Sequence, residues 1–180
     1  MSGRFIAICG PSGVGKDSVM AALVAADPRL VLARRVITRP GDAGGEDFDG
    51  VDAAEFAKRQ ESGEFALSWP AHGMMYAIPK AVDADLAADK DVLANLSRAA
   101  LPEAQARFVR VEVILLTTNR DALAARLAAR GRESGQEIEK RLDRADFAMP
   151  EGVAHHVIDN SGALEQTVQT VLARLYPVRA

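Results

Sequence analysis

Three glycines and a lysine, in Gly10, Pro11, Ser12, Gly13, Val14, Gly15 and Lys16, stand between an apolar run from Phe5 to Cys9 and a breaker-poor stretch from Ser18 to Ala26. The pattern predicts a buried parallel strand, a tight loop and a helix, the context in which G-x-x-x-x-G-K binds phosphate. Glycine lets the backbone curl so that the N–H groups of Gly13, Val14 and Gly15 converge on phosphate oxygens. The helix start adds partial positive charge, and Lys16 reaches the outer phosphates of a nucleoside triphosphate. Asp17, followed by Ser18, occupies the position where this loop normally ends in serine or threonine. It reads either as a magnesium ligand, direct or through water, or as a favourable charge at a helix start.

A chain of 180 residues fits one domain with a sizeable core. The net charge of −3 and pI of 5.7 give no general attraction to nucleic acid or to an anionic membrane, so any anion site must be local. The single cysteine excludes an intrachain disulfide and a cysteine-based zinc site. No apolar stretch approaches the roughly 18 residues that span a bilayer, and no signal peptide precedes the first strand, so the expected compartment is the cytoplasm. Composition says nothing about oligomeric state.

Apolar runs at 5–9, 92–96, 109–116 and 155–158 alternate with helical stretches at 16–26, 98–107, 120–130, 136–148 and 162–175. A further strand is expected near 31–37. This alternation predicts a three-layer α/β domain with a mainly parallel sheet. Between 38 and 80 the pattern changes to a Gly- and Asp-rich loop, a short helix at 53–61 and short strands at 64–69 and 75–78, which reads as a substrate-binding insertion. Arg126 and Arg130 lie four apart on one helix face, Arg132 follows, and a second helix brings Arg141 and Arg144. The stretch at about 126–144 is thus a candidate arginine-bearing lid, with the core at 1–37 and 90–180.

Together with the loop, the residues Thr38-Arg39-Pro40, Gly63, Glu64 and Phe65, His72-Gly73, Tyr76, Arg130 to Glu133, Ile138 and Arg141-Leu142 resemble the guanylate kinase-like group of nucleoside monophosphate kinases over nearly the whole chain. The resemblance implies a P-loop kinase fold: a core sheet that binds ATP, a small domain for the phosphoryl acceptor, and a helical lid. Leu67 stands where guanylate kinases carry the guanine-reading glutamate, and Asn95 and Ser97 stand where they carry paired aspartates. The acceptor-loop tyrosine is replaced by Phe48, and a second arginine after Pro40 is missing. The combination of Asp17-Ser18, Arg35 to Pro40, Trp69 with Ala71 to Gly73, and Asn95 to Arg98 is closer to the ribose 1,5-bisphosphate phosphokinases. That family uses ATP to phosphorylate the C1 phosphate of its sugar.

On this resemblance Lys16, Arg130 and Arg141 are the catalytic candidates, Arg39 and Tyr76 match acceptor-phosphate ligands, and Arg35, Arg98 and His72 are further substrate ligands. Tyr76 reads equally as packing at a strand end, and His72 as a turn residue beside Gly73. Of the acidic residues Glu46, Asp47, Asp49 and Asp52, one or two bind sugar hydroxyls or all form a solvated loop. Asn160 either touches adenine or caps the last helix. His155 and His156 have no metal-ligand partners at useful spacing and read as structural. The rival functions are a true guanylate kinase and a catalytically silent interaction module.

Overall fold

The computed structural model describes residues 3–131, 134–144 and 148–178, apart from the side chains of Arg141, Asp143 and Arg144. Strand β1 (Phe5–Cys9) lies at the centre of a parallel sheet, with β7 (Asp91–Asn95) and then β2 (Leu30–Leu32) on one side and β8 (Val111–Thr117) and then β9 (His156–Asp159) on the other. Its side chains alternate between two cores. Phe5, Ala7 and Cys9 face one with Leu101 and Phe108, while Ile6 and Ile8 face the other with Leu23, Val171 and Leu175. A strand covered on both faces must be apolar at every position, which is why 5–9 reads as an unbroken run. The second core is closed by α1 (Lys16–Ala26) and α7 (Leu164–Leu175), and the first by α3 (Val82–Ala87) and α4 (Leu101–Arg107).

The stretch expected as one strand at 31–37 is two strands in different sheets. Ala33 still donates to the Leu93 carbonyl, but the chain then leaves the core sheet, and β3 (Val36–Ile37) pairs with β6 (Met74–Pro79). The turning point is Arg34-Arg35, whose guanidinium groups have no place in a sheet buried on both faces. The small sheet runs β4 (Asp49–Gly50), β3, β6, β5 (Phe65–Ala71) and is crossed by α2 (Ala53–Glu61). Neither β4 nor α3 is foreshadowed by a period, because two and six residues are too short to carry one. β5 and β6 meet in a two-residue turn with His72 at φ 51° and Gly73 at φ 72°, the left-handed pair that hairpin twist demands.

Helices α5 (Arg120–Ala129) and α6 (Gly135–Arg144) have their own small cluster, Leu123, Leu127 and Leu142, separate from both main cores. This pair begins before residue 126 and is tied to the phosphate loop and to the segment after β9, through Arg126 to the Val14 and Asn160 carbonyls and through the Asn119 N–H to the Ser161 hydroxyl. At the other end of the sheet, Asp91 accepts from the Arg4 backbone N–H and guanidinium, each at 2.7 Å, and from the Tyr176 hydroxyl at 2.6 Å. That network fastens α7 under the strand starts, leaving the strand ends for ligands, as open parallel sheets do.

Candidate active site

The chain between β1 and α1 curls through left-handed backbone at Gly13 (φ 87°) and Gly15 (φ 98°). A Cβ on Gly13 would sit 2.8 Å from Leu127 Cδ2, and one on Gly15 would sit 2.7 Å from the Asn160 amide nitrogen, so glycine is required for space as well as conformation. Val14 packs its side chain into the core and turns its carbonyl away from the loop interior, where it receives the Asn160 amide at 2.8 Å and Arg126 at 3.1 Å. Lys16 lies across the loop, donating to the carbonyls of Gly10 at 2.7 Å and Pro11 at 3.2 Å. Burial lowers its ammonium to about 8, against an upward pull from Asp17.

These residues form one end of a cavity of about 690 Å³ between the core, the small sheet and α5. Gly10, Pro11, Ser12, Gly13, Gly15, Lys16, Asp17 and Ser18 line the loop side. Arg35, Glu46, Trp69, His72 and Tyr76 line the side of the small sheet, with Asn95, Ser97 and Arg98 between and Arg130 entering from the end of α5. Trp69 and Tyr76 stack with ring centroids 5.8 Å apart. Burial raises the Tyr76 hydroxyl pKa and lowers that of the Arg98 guanidinium. Asn95 Nδ2 donates to Asp17 Oδ1 across a long 3.4 Å, which brings the unusual loop carboxylate beside the end of β7.

Other expected site residues fall elsewhere. Arg39 stacks over Phe48 at 4.1 Å and donates to the Gly44 carbonyl; it lines a separate open depression of about 360 Å³ with Thr38 and Asp52, and its Nε is buried without a hydrogen-bond partner. Asn160 is buried with its amide committed to Val14 and to the Thr167 hydroxyl at 2.6 Å. It neither lines the cavity nor caps α7, whose N-cap is Ala163. The Arg141 side chain and all of Arg132 lie outside the described residues. Of the acidic loop only Glu46 lines the large cavity: Asp47 pairs with Arg34, Asp49 pairs with Arg59, and Asp52 caps α2. His156 pairs with Glu112 and His155 bonds the Val153 carbonyl, which suits a structural reading.

The residue that sequence reasoning left out of the site is Arg126. Its guanidinium bonds both Val14 and, at 2.6 Å, the Asn160 carbonyl, so α5 grips the back of the loop. Helical spacing with Arg130 was its one signal, and nothing local points to partners 112 and 34 residues away.

A glycine loop opening a helix at the ends of parallel strands, with Arg126 of α5 and Arg130 at its end beside it and a small sheet opposite, defines a P-loop kinase that acts on a small acceptor. The sequence matches the guanylate kinase family over residues 2–175, and the chain belongs to that family. It is 50% identical to a ribose 1,5-bisphosphate phosphokinase PhnN from Ruegeria sp. (strain TM1040), covering 99% of this chain and 94% of that one. With the PhnN of Pseudomonas fluorescens (strain SBW25) it shares 46% identity over 97% of this chain and 96% of its relative. A guanylate kinase crystal structure from Anaplasma phagocytophilum superposes with a TM-score of 0.68 at 19% identity, covering 99% of this chain and 88% of that chain, a likeness of fold. No helix among the described residues is long and apolar enough to cross a membrane.

Proposed function

We propose that this protein transfers the γ-phosphoryl group of ATP to the C1 phosphate of ribose 1,5-bisphosphate, giving 5-phosphoribosyl 1-diphosphate and ADP, a step in phosphonate breakdown. The observation that carries the reading is a cavity in which the phosphate loop faces Tyr76 and Arg98, while Leu67 is 2% exposed within the core and offers guanine no carboxylate. Relatives named for this activity at 46 to 50% identity support the same acceptor.

An acceptor phosphate is already anionic near neutral pH, so no base has to remove a hydroxyl proton. One of its oxygens attacks the γ-phosphorus as the bond to ADP breaks, and the work left to the protein is alignment and charge neutralisation. The loop N–H groups and Lys16 hold the donor phosphates, and Arg130, which reaches the same cavity, stabilises charge on the transferring group. Magnesium favours one or two carboxylates together with phosphate oxygens and water, and Asp17 beside Asn95 supplies such a carboxylate at the cavity. Among the described residues no cluster of three or more His, Cys, Asp or Glu offers an alternative cage. A bound magnesium ion would supply charge neutralisation between the phosphates at Asp17.

The reading is tested by incubating purified protein with Mg-ATP and, separately, ribose 1,5-bisphosphate, GMP and unphosphorylated ribose, and following ADP and phosphorylated product. Turnover with the bisphosphate and little with GMP or ribose is the expected result. Robust GMP phosphorylation with none of the sugar bisphosphate overturns the reading in favour of a guanylate kinase.

A further inference from the structure

Arg35 and Glu46 come to the cavity from separate segments, one just ahead of β3 and the other in the loop leading to β4, with side chains 9% and 13% exposed. Arg35 Nε donates to Glu46 Oε2 at 2.8 Å and its Nη2 donates to Oε1, a forked pair. Arg35 Nη1 donates to the Asn95 carbonyl at 3.2 Å, and the guanidinium lies 4.8 Å from the centroid of the Tyr76 ring. The fork is therefore fixed on three sides. An ion pair buried this far returns little net stability compared with apolar packing, so stability alone does not account for one in a cavity wall.

The pairing decides what the wall can bind. Glu46 neutralises Arg35, so this part of the cavity is not a cation waiting for phosphate, and a phosphate set against Glu46 would be repelled. A carboxylate has about four lone-pair positions, and Arg35 occupies two of them. What remains is one lone pair on each oxygen, directed outward from the fork, so the oxygen that faces the cavity is a rigidly held acceptor for one O–H donor.

We infer that Glu46, clamped by Arg35, selects the acceptor by taking a hydrogen bond from a hydroxyl of its ribose, the uncharged middle of a molecule whose ends are phosphates. This rests on the sugar bisphosphate reading above. Glu46 is then a specificity-determining ligand and Arg35 the positioning residue that aims it. An N–H donor of guanine is the other chemistry such an acceptor takes, and the experiment separates the two.

The test compares kcat/KM for ribose 1,5-bisphosphate, its 2-deoxy and 3-deoxy analogues and GMP in the wild type, Glu46→Gln and Arg35→Lys, with ATP affinity measured to establish that each variant is folded. A site built to hydrogen-bond a hydroxyl rejects the analogue lacking it, so the wild type should prefer ribose over at least one of the deoxy sugars by about a hundredfold or more. That preference should shrink at least tenfold in Glu46→Gln, mainly through KM, and also in Arg35→Lys, where the fork is lost. Undiminished preference in a Glu46→Gln protein that binds ATP normally would overturn the inference and leave the kinase reading intact. So would a wild type that turns over all three sugars alike, a result that needs no variant. Turnover of GMP alone overturns the sugar bisphosphate reading and the hydroxyl contact together.

Discussion

The side-chain amide of Asn160 donates to the Val14 carbonyl at 2.8 Å, fixing the crown of the phosphate loop to a residue 146 positions away at the end of β9. The same amide accepts from Thr167 Oγ1 in α7 at 2.6 Å, and Arg126 of α5 binds both the Val14 and Asn160 carbonyls. The loop is thus braced from behind by three elements. Its outward carbonyl is held from behind, Gly13 and Gly15 line the cavity, and the Val14 N–H, expected to point at phosphate, donates instead to the Pro11 carbonyl at 3.2 Å.

Replacing Asn160 with Ala should weaken both the fold and nucleotide binding. The change strands the Thr167 hydroxyl in a buried site and frees the Val14 carbonyl of one partner, at about 1–3 kcal/mol for an unsatisfied buried group. For a domain of this size each kcal/mol lowers Tm by about 2–4 °C. Thermal melting with and without ATP should therefore show a drop of several degrees together with a raised KM for ATP. A variant with wild-type Tm and ATP affinity would mean that the brace is ornamental.

Lys16 gives the pH dependence. Burial lowers its ammonium from the usual lysine range to about 8, so in the free protein the charged form predominates below pH 8 and is lost above it. Since kcat/KM for ATP reports on the free enzyme, it should fall along an alkaline limb with an apparent pKa near 8. The limb in kcat should lie higher, because bound phosphates favour the charged lysine. A kcat/KM profile flat from pH 7 to about 9.5 contradicts this assignment.

The strand–loop–helix at 5–26 was legible because period, glycine placement and helix propensity all agree there, and the chemistry of a phosphate loop is local. The strand at 31–37 was read as one element because an apolar run does not reveal which sheet it joins; only the pairing of Val36 with Ala77 and of Val31 with Val92 distinguishes them. The family pattern pointed to Arg39, Tyr76 and Arg130, but the large cavity receives Tyr76 and Arg130 while Arg39 stacks on Phe48 in a separate depression. Asn160 was legible as a polar residue at a strand end. Its partners, Val14 and Thr167, come from the phosphate loop and the last helix, and no local pattern encodes that meeting.

Arg130 should matter to turnover rather than to folding. It enters the cavity from the end of α5 as an exposed side chain, so its removal leaves the lid cluster of Leu123, Leu127 and Leu142 intact. Loss of one group that stabilises developing charge commonly costs about 10²–10³ in kcat. Arg130→Ala should show such a loss with Tm unchanged within about a degree, since surface substitutions usually stay within ±0.5 kcal/mol. Near-normal kcat would place the transferring phosphate out of reach of α5.

Asp17 carries the most specific prediction, because its position is a liability without a cation. A carboxylate about 4 Å from a phosphate charge is repelled by roughly 4 kcal/mol at an effective dielectric near 20. A negative charge in the first turn of α1 returns only about 0.3–1 kcal/mol, so the helix-start role does not offset that repulsion. A magnesium ion between carboxylate and phosphate reverses the sign, and Asn95, whose amide reaches Asp17 Oδ1 at 3.4 Å, stands where an acidic residue would otherwise supply the charge. Asp17→Asn should therefore raise the magnesium concentration needed for half-maximal turnover and lower kcat, while Tm of the ligand-free protein changes little. Adding Asn95→Asp to that variant returns a carboxylate to the other side of the same contact and should recover part of the magnesium affinity. Should the magnesium titration of Asp17→Asn overlay that of the wild type, the carboxylate serves the helix start alone and the metal is held by phosphate and water.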